Sequence, residues 1–70
     1  MEHFDAIASG QKLKELRGNR SQTEVARALG LTAMAISAYE NGKRVPPDPI
    51  KCALANYYGQ SVSKIFFASK

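Results

Sequence analysis

Glycine and proline interrupt this chain so often that only short elements fit between the breaks. Gly18-Asn19, Gly30, Gly42, Pro46-Pro47 and Gly59 fall at short intervals, and the stretches between them are helix-length with few strand-type alternations. The sequence therefore reads as an all-α chain, a compact bundle of about five short helices. No repeat or low-complexity segment is present.

The first helix is predicted from Phe4 to Arg17, with Ile7, Leu13 and Leu16 as apolar anchors and Gly18 as its stop. Ser21-Gln22-Thr23-Glu24 has the form of a capping box, in which the Ser21 hydroxyl and the Glu24 carboxylate satisfy amides left free at a helix start. A second helix then carries Val25, Ala26 and Leu29 to Gly30, a residue suited to a left-handed C-terminal position, after which Leu31 folds back. Thr32 caps a third helix, Ala33 to Glu40, whose inner side is marked by Ile36 and Tyr39 and which ends at Asn41-Gly42, a pair suited to left-handed angles.

Val45-Pro46-Pro47 must be extended, and Asp48-Pro49 reads as the cap and first residue of a fourth helix running to Gly59. Its apolar stripe is Ile50, Leu54, Ala55 and Tyr58. Ser61 caps a last short helix with Val62, Ile65 and Phe66. Adjacent helical side chains diverge, so of Phe66 and Phe67 one is expected to be exposed or used in a partner contact, the alternative being a frayed C-terminus.

Seventy residues are expected to form one domain, residues 1–70, because so short a chain buries only about 60% of its unfolded surface and cannot support two cores. A single cysteine, Cys52, excludes an internal disulfide, and with only His3 beside it no zinc set can be assembled, so neither metal nor cofactor is expected. A reducing cytoplasm is the expected setting. No apolar run approaches the roughly 20 residues of a membrane span, and MEHFDAIASG lacks the basic start and apolar stretch of an export signal. Catalysis is not expected either: no nucleophile and base are paired in a recognisable motif, His3 falls in a loose terminus, and Cys52 lies on the far side of its helix's apolar stripe.

The net charge of +4, ten Lys and Arg against six Asp and Glu, favours polyanionic partners. Arg17 and Arg20 cluster at one predicted turn, Lys43 and Arg44 at another. Between them, from about Gln22 to Asn41, Val25, Leu29, Leu31, Ile36 and Tyr39 bracket the small residues Ala26 and Gly30 in a helix, tight turn, helix arrangement. Two helices meeting at roughly 90 to 120° need a small residue at the crossing, glycine in the turn and inward apolar anchors on both sides, and all three are present.

Through SQTEVARALGLTAMAISAYENGKRVP the chain resembles the Cro and phage-repressor group of helix-turn-helix proteins, the Xre-like family. The resemblance covers nearly the whole chain, with LKELR and PPDPIKCALANYYGQSVSKIFF similar to the family's first, fourth and fifth helices. It implies a lambda-repressor-like domain that binds double-stranded DNA sequence-specifically and represses transcription, with the helix from Ala33 in the major groove. It also implies that Gln22 and the second helix's N-terminus rest on the phosphate backbone and that Asn41, Lys43 and Arg44 meet it past the recognition helix, while Ser21 at that helix start and the clustered charges of Arg17 and Arg20 are expected on the backbone too, ordinary solvated surface being the alternative for the two arginines. Arg17 and Glu40 are similar to the family's helix-bridging ion pair, although the segment from Arg17 to Ser21 is shorter than in many relatives.

The matching base-reading positions are Thr32, Ala33, Met34, Ser37 and Ala38, and here the chain departs from the phage proteins. None of these side chains makes the bidentate pairs that Arg, Asn or Gln make with purines. Two readings follow, packing of Ala33, Met34 and Ala38 on thymine methyl groups aided by single hydrogen bonds from Thr32 and Ser37, which is the favoured one, and reliance on DNA shape. The rival function is an antitoxin-like or anti-repressor module that binds a protein partner, since Met34 also suits an irregular apolar surface. A homodimer is expected if the target is palindromic, with Tyr57, Phe67 and the last helix as seam.

Overall fold

The computed structural model describes residues 5–67. Five helices follow in order: α1 Ala6–Arg17, α2 Gln22–Leu29, α3 Ala33–Glu40, α4 Asp48–Tyr58 and α5 Val62–Phe66, with no strand among the described residues. The predicted start at Phe4, and His3 with it, lie outside the described residues. α3 packs against both α1 and α2, and α5 against α1 and α4. None of these helices is long and apolar enough to cross a membrane.

Short polar side chains set most of the helix starts. The Asp5 carboxylate accepts from the amides of Ile7 and Ala8 at 3.1 Å each, Ser21 Oγ from Glu24 N at 2.9 Å, Thr32 Oγ1 from Ala35 N at 3.1 Å and Ser61 Oγ from Lys64 N at 3.2 Å. Each such cap contributes about 1 kcal/mol by satisfying an amide that the helix itself cannot. The Ser21 half of the predicted capping box is thus in place. α4 starts differently from the prediction: Pro47 occupies the cap position, Asp48 is already helical, and the Pro47 carbonyl accepts from Ile50 N and Lys51 N at 2.9 Å. Pro49 has no amide hydrogen to lose in a first turn, so the helix can begin one residue earlier. Asp48 Oδ1, freed from capping, lies 3.7 Å from Lys51 Nζ.

At the end of α2, Gly30 is left-handed (φ 70°, ψ 29°), which lets Leu31 N return to Ala26 O at 2.8 Å and turns the chain into α3. After α3, only half of the predicted left-handed pair is left-handed. Asn41 has φ −90° and Gly42 φ 72°, because one reversed residue suffices to bring Lys43 N back to Ala38 O at 2.9 Å.

Leu13, Val25, Ala26, Ile36, Tyr39, Leu54, Ala55, Ile65 and Phe66 form the core. Ile7 does not join them and is 65% exposed. Six residues before Leu13 it points roughly 120° away around the helix, whereas Ser9 and Gly10 flank the Leu13 stripe and are buried. At Gly10 the main chains of α1 and α3 come together: a Cβ there would overlap the carbonyl oxygens of Glu40 and Tyr39, the latter 2.7 Å away. Phe66 is buried and Phe67 half-buried against the core edge, so neither aromatic is exposed. Because α5 stops at Phe66, the divergence of helical neighbours does not bind Phe67. Lys51 Nζ sits 4.8 Å from the Phe67 ring centroid and 5.8 Å from that of Phe66.

Candidate nucleic-acid interface

α3 has two unlike sides. Ile36, Tyr39 and Glu40 are buried, while Met34 is 82% exposed and Ala33, Ser37 and Ala38 are half-buried around it, with Thr32 exposed at the cap. Helical spacing puts Met34, Ser37 and Ala38 on one face, so the five candidate base-reading residues share the outer side and start of the helix. The Ser37 hydroxyl accepts from Asn41 Nδ2 at 3.2 Å, joining two of the candidate residues along that face. Beyond it, Lys43 and Arg44 are exposed, and their amides both reach Ala38 O, at 2.9 and 3.3 Å, which fixes the turn that carries them. The Arg44 guanidinium lies 5.7 Å from the Tyr39 ring centroid, a cation over the aromatic face.

The other candidate cluster is engaged internally. Arg17 grips Glu40 with two parallel bonds, Nε to Oε2 at 2.6 Å and Nη2 to Oε1 at 3.0 Å, and its Nη1 donates to Arg20 O at 2.8 Å. Gln22 Nε2 donates to the same Glu40 Oε1 at 3.0 Å. One carboxylate, with 1% of its side chain exposed, therefore ties the end of α1, the start of α2 and the end of α3 together. The hydrogen bond to Glu40 holds the Arg17 guanidinium above its ordinary pKa, outweighing the cost of burial. The short segment from Arg17 to Ser21 is compatible with this pair.

Arg20 closes the C-terminus of α1, donating from Nε to Arg17 O at 3.3 Å and from Nη2 to Leu16 O at 3.0 Å. Its guanidinium stacks 5.3 Å from the Tyr57 centroid and 5.2 Å from that of Tyr58, which themselves meet edge to face. Burial, and then the nearby Glu40 charge, push the Tyr58 hydroxyl above its usual pKa.

The structure thus separates the candidates into an exposed set, Met34 with Thr32, Asn41, Lys43 and Arg44, and an anchored set, Arg17, Arg20 and Gln22. Both sets meet at Glu40, because it ends α3 and also holds the first residue of α2. Sequence reasoning missed the Gln22 bond to Glu40, the stacking of Arg20 on two tyrosines, and Gly10. Only the last had a signal, an isolated glycine inside a helical segment. Cys52 is exposed, and among the described residues no group of three or more His, Cys, Asp or Glu side chains is placed to hold a metal.

The helix-turn-helix domain family model matches residues 9–64. Among solved structures, the DNA-binding domain of BldD is similar to this chain at 26% identity and a TM-score of 0.73, over 87% of this chain and 92% of that one. No curated protein matches. With most of its length matched, and with α2, the Gly30 turn and α3 arranged as described, the chain belongs to the helix-turn-helix domain family and is of the Xre-like kind.

Proposed function

We propose that this chain is a sequence-specific double-stranded DNA-binding domain, a binding protein rather than an enzyme, that represses transcription by occupying its site with α3 in the major groove. The observation that carries this reading is the outer face of α3: uncharged, solvent-facing, and bordered directly by the exposed cations Lys43 and Arg44. A helix of this diameter fits the major groove, and cations beyond its end meet the flanking phosphates. Thr32, Ala33, Met34, Ser37 and Ala38 then face the base edges.

On the backbone side, Ser21 and Gln22 present the start of α2, where free amides and a partial positive charge hold a phosphate oxygen. Glu40 fixes the Gln22 amide through one of its two hydrogens, leaving the other for that phosphate. Arg17 and Arg20 contribute chiefly by positioning this helix start, and Asn41 adds a neutral donor beside Lys43 and Arg44. On a palindromic target, two copies would occupy half-sites about one helical turn, roughly 34 Å, apart.

The test is binding to a random-sequence duplex library across a salt series. Enriched sites, lost in Ala33→Glu and weakened uniformly in Lys43→Ala, are the expected result, the latter lowering the slope of log affinity against log salt by about 0.9. The exposed Met34 also favours a second reading, an antitoxin-like or anti-repressor surface for a protein partner. No enrichment and no duplex binding even at low salt would put that reading first.

A further inference from the structure

We infer that the outer face of α3 recognises the 5-methyl group of pyrimidines, so that 5-methylcytosine and thymine fall into one ligand class for this domain; the inference rests on the DNA reading above. Between Arg27 and Lys43 the chain has one charged residue, Glu40, and its side chain is turned inward to Arg17 and Gln22. The two hydroxyls at this face each accept one bond, Thr32 Oγ1 from Ala35 N and Ser37 Oγ from Asn41 Nδ2, and a short hydroxyl that can donate or accept pairs with either exocyclic group and so does not distinguish thymine from cytosine. From Thr32 to Glu40 there is no Arg, Lys, Asn or Gln to make a two-bond contact with a purine.

What α3 offers in their place is apolar: the methyl groups of Ala33 and Ala38, and the Met34 thioether at 82% exposure. The apolar feature that base edges present in the major groove is the C5-methyl group, carried by thymine and absent from cytosine, adenine and guanine. 5-Methylcytosine carries that methyl at the same ring position as thymine and differs at the neighbouring exocyclic group. A surface that packs on the methyl and sets no long polar side chain against that exocyclic group has little means to separate the two bases.

Two matched pairs test this on the duplex enriched from the random library. Uracil in place of each thymine removes one methyl and nothing else. Cytosine and 5-methylcytosine compared at the same positions add one methyl and nothing else. In both pairs the methylated form should bind about fourfold tighter, the factor expected for one buried methyl-sized group. Both ratios should fall toward one at the base beneath residue 34 in Met34→Gln, a substitution at an exposed position whose folding is checked by its helical circular dichroism.

Equal binding within either pair overturns the inference, while persisting salt-dependent duplex binding would leave the DNA reading standing. Ratios unchanged by Met34→Gln at every position also overturn it. Loss of all duplex binding at low salt removes both readings together.

Discussion

Glu40 and Met34 lie on the same eight-residue helix and face opposite ways, one side built on charge and the other on its absence. Around Glu40, charged and amide groups bond one another and fix how three helices meet. On the Met34 side the helix carries no charged residue, and along the chain the next cations are Lys43 and Arg44 in the turn beyond it. Charge near this helix therefore does two separate things: buried, it sets geometry, and exposed, it is available to a polyanion. Substitutions at the two sides should separate in the same way, into losses of stability and losses of binding.

Glu40→Ala is the strongest way to break the inner side. It leaves the Arg17 guanidinium largely buried without its carboxylate, and unfolding in urea should show a loss of about 3 to 5 kcal/mol. Replacing both partners, Arg17→Met with Glu40→Leu, should recover most of that loss, since a well-packed apolar pair needs no desolvation of charge. A double variant as unstable as Glu40→Ala would mean that the Gln22 bond, and not the ion pair, governs the junction.

Gly10→Ala should come next and has an informative sign. In an open helix this change stabilises by up to about 1 kcal/mol. Here the new methyl overlaps two α3 carbonyl groups, so α1 and α3 must part, and a destabilisation of about 1 to 3 kcal/mol is expected by thermal unfolding. A stabilised variant would show that the two helices do not meet at this point.

Lys43→Ala sharpens the outer side: stability should change by less than about 0.5 kcal/mol while the salt slope falls. The smallest effect belongs to Tyr58. Because its folded-state pKa is raised, its neutral form stabilises the fold fully below the ordinary tyrosine value of about 10, and that contribution is lost as pH climbs through the raised value. Comparing wild type with Tyr58→Phe, the variant should show a shallower decline of melting temperature above that pH.

Most of the fold was legible because its signals are local. Ser21, Thr32 and Ser61 cap helices through atoms three residues away, and Gly30 reverses the chain within a single turn. Legibility faded where position depends on a distant partner. Ile7 has the composition of an anchor, but α1 turns a serine and a glycine toward its neighbours instead. The start of α4 slipped by one residue because a proline carbonyl served where an aspartate side chain was expected.

The base-reading candidates on α3 came from the family resemblance, and helical spacing agreed with it, since Ile36 and Tyr39 already defined the inner side. The anchored set could not be found that way. Gln22 and Glu40 are eighteen residues apart and Arg20 lies far from Tyr57 in sequence, so only the packed chain shows what holds them.

The contact at Gly10 bears on how such a domain can change its preferences over generations. Where two helices rest main chain against main chain, the placement of the second does not depend on which side chains it displays outward. Position 34, the most exposed of the outer residues, can then be exchanged with little penalty to folding, as a label on a fixed mount. Under the DNA reading proposed above, a lineage keeping glycine at position 10 and the carboxylate at position 40 would acquire new targets by substitution on that outer face, each change tested by selection on binding.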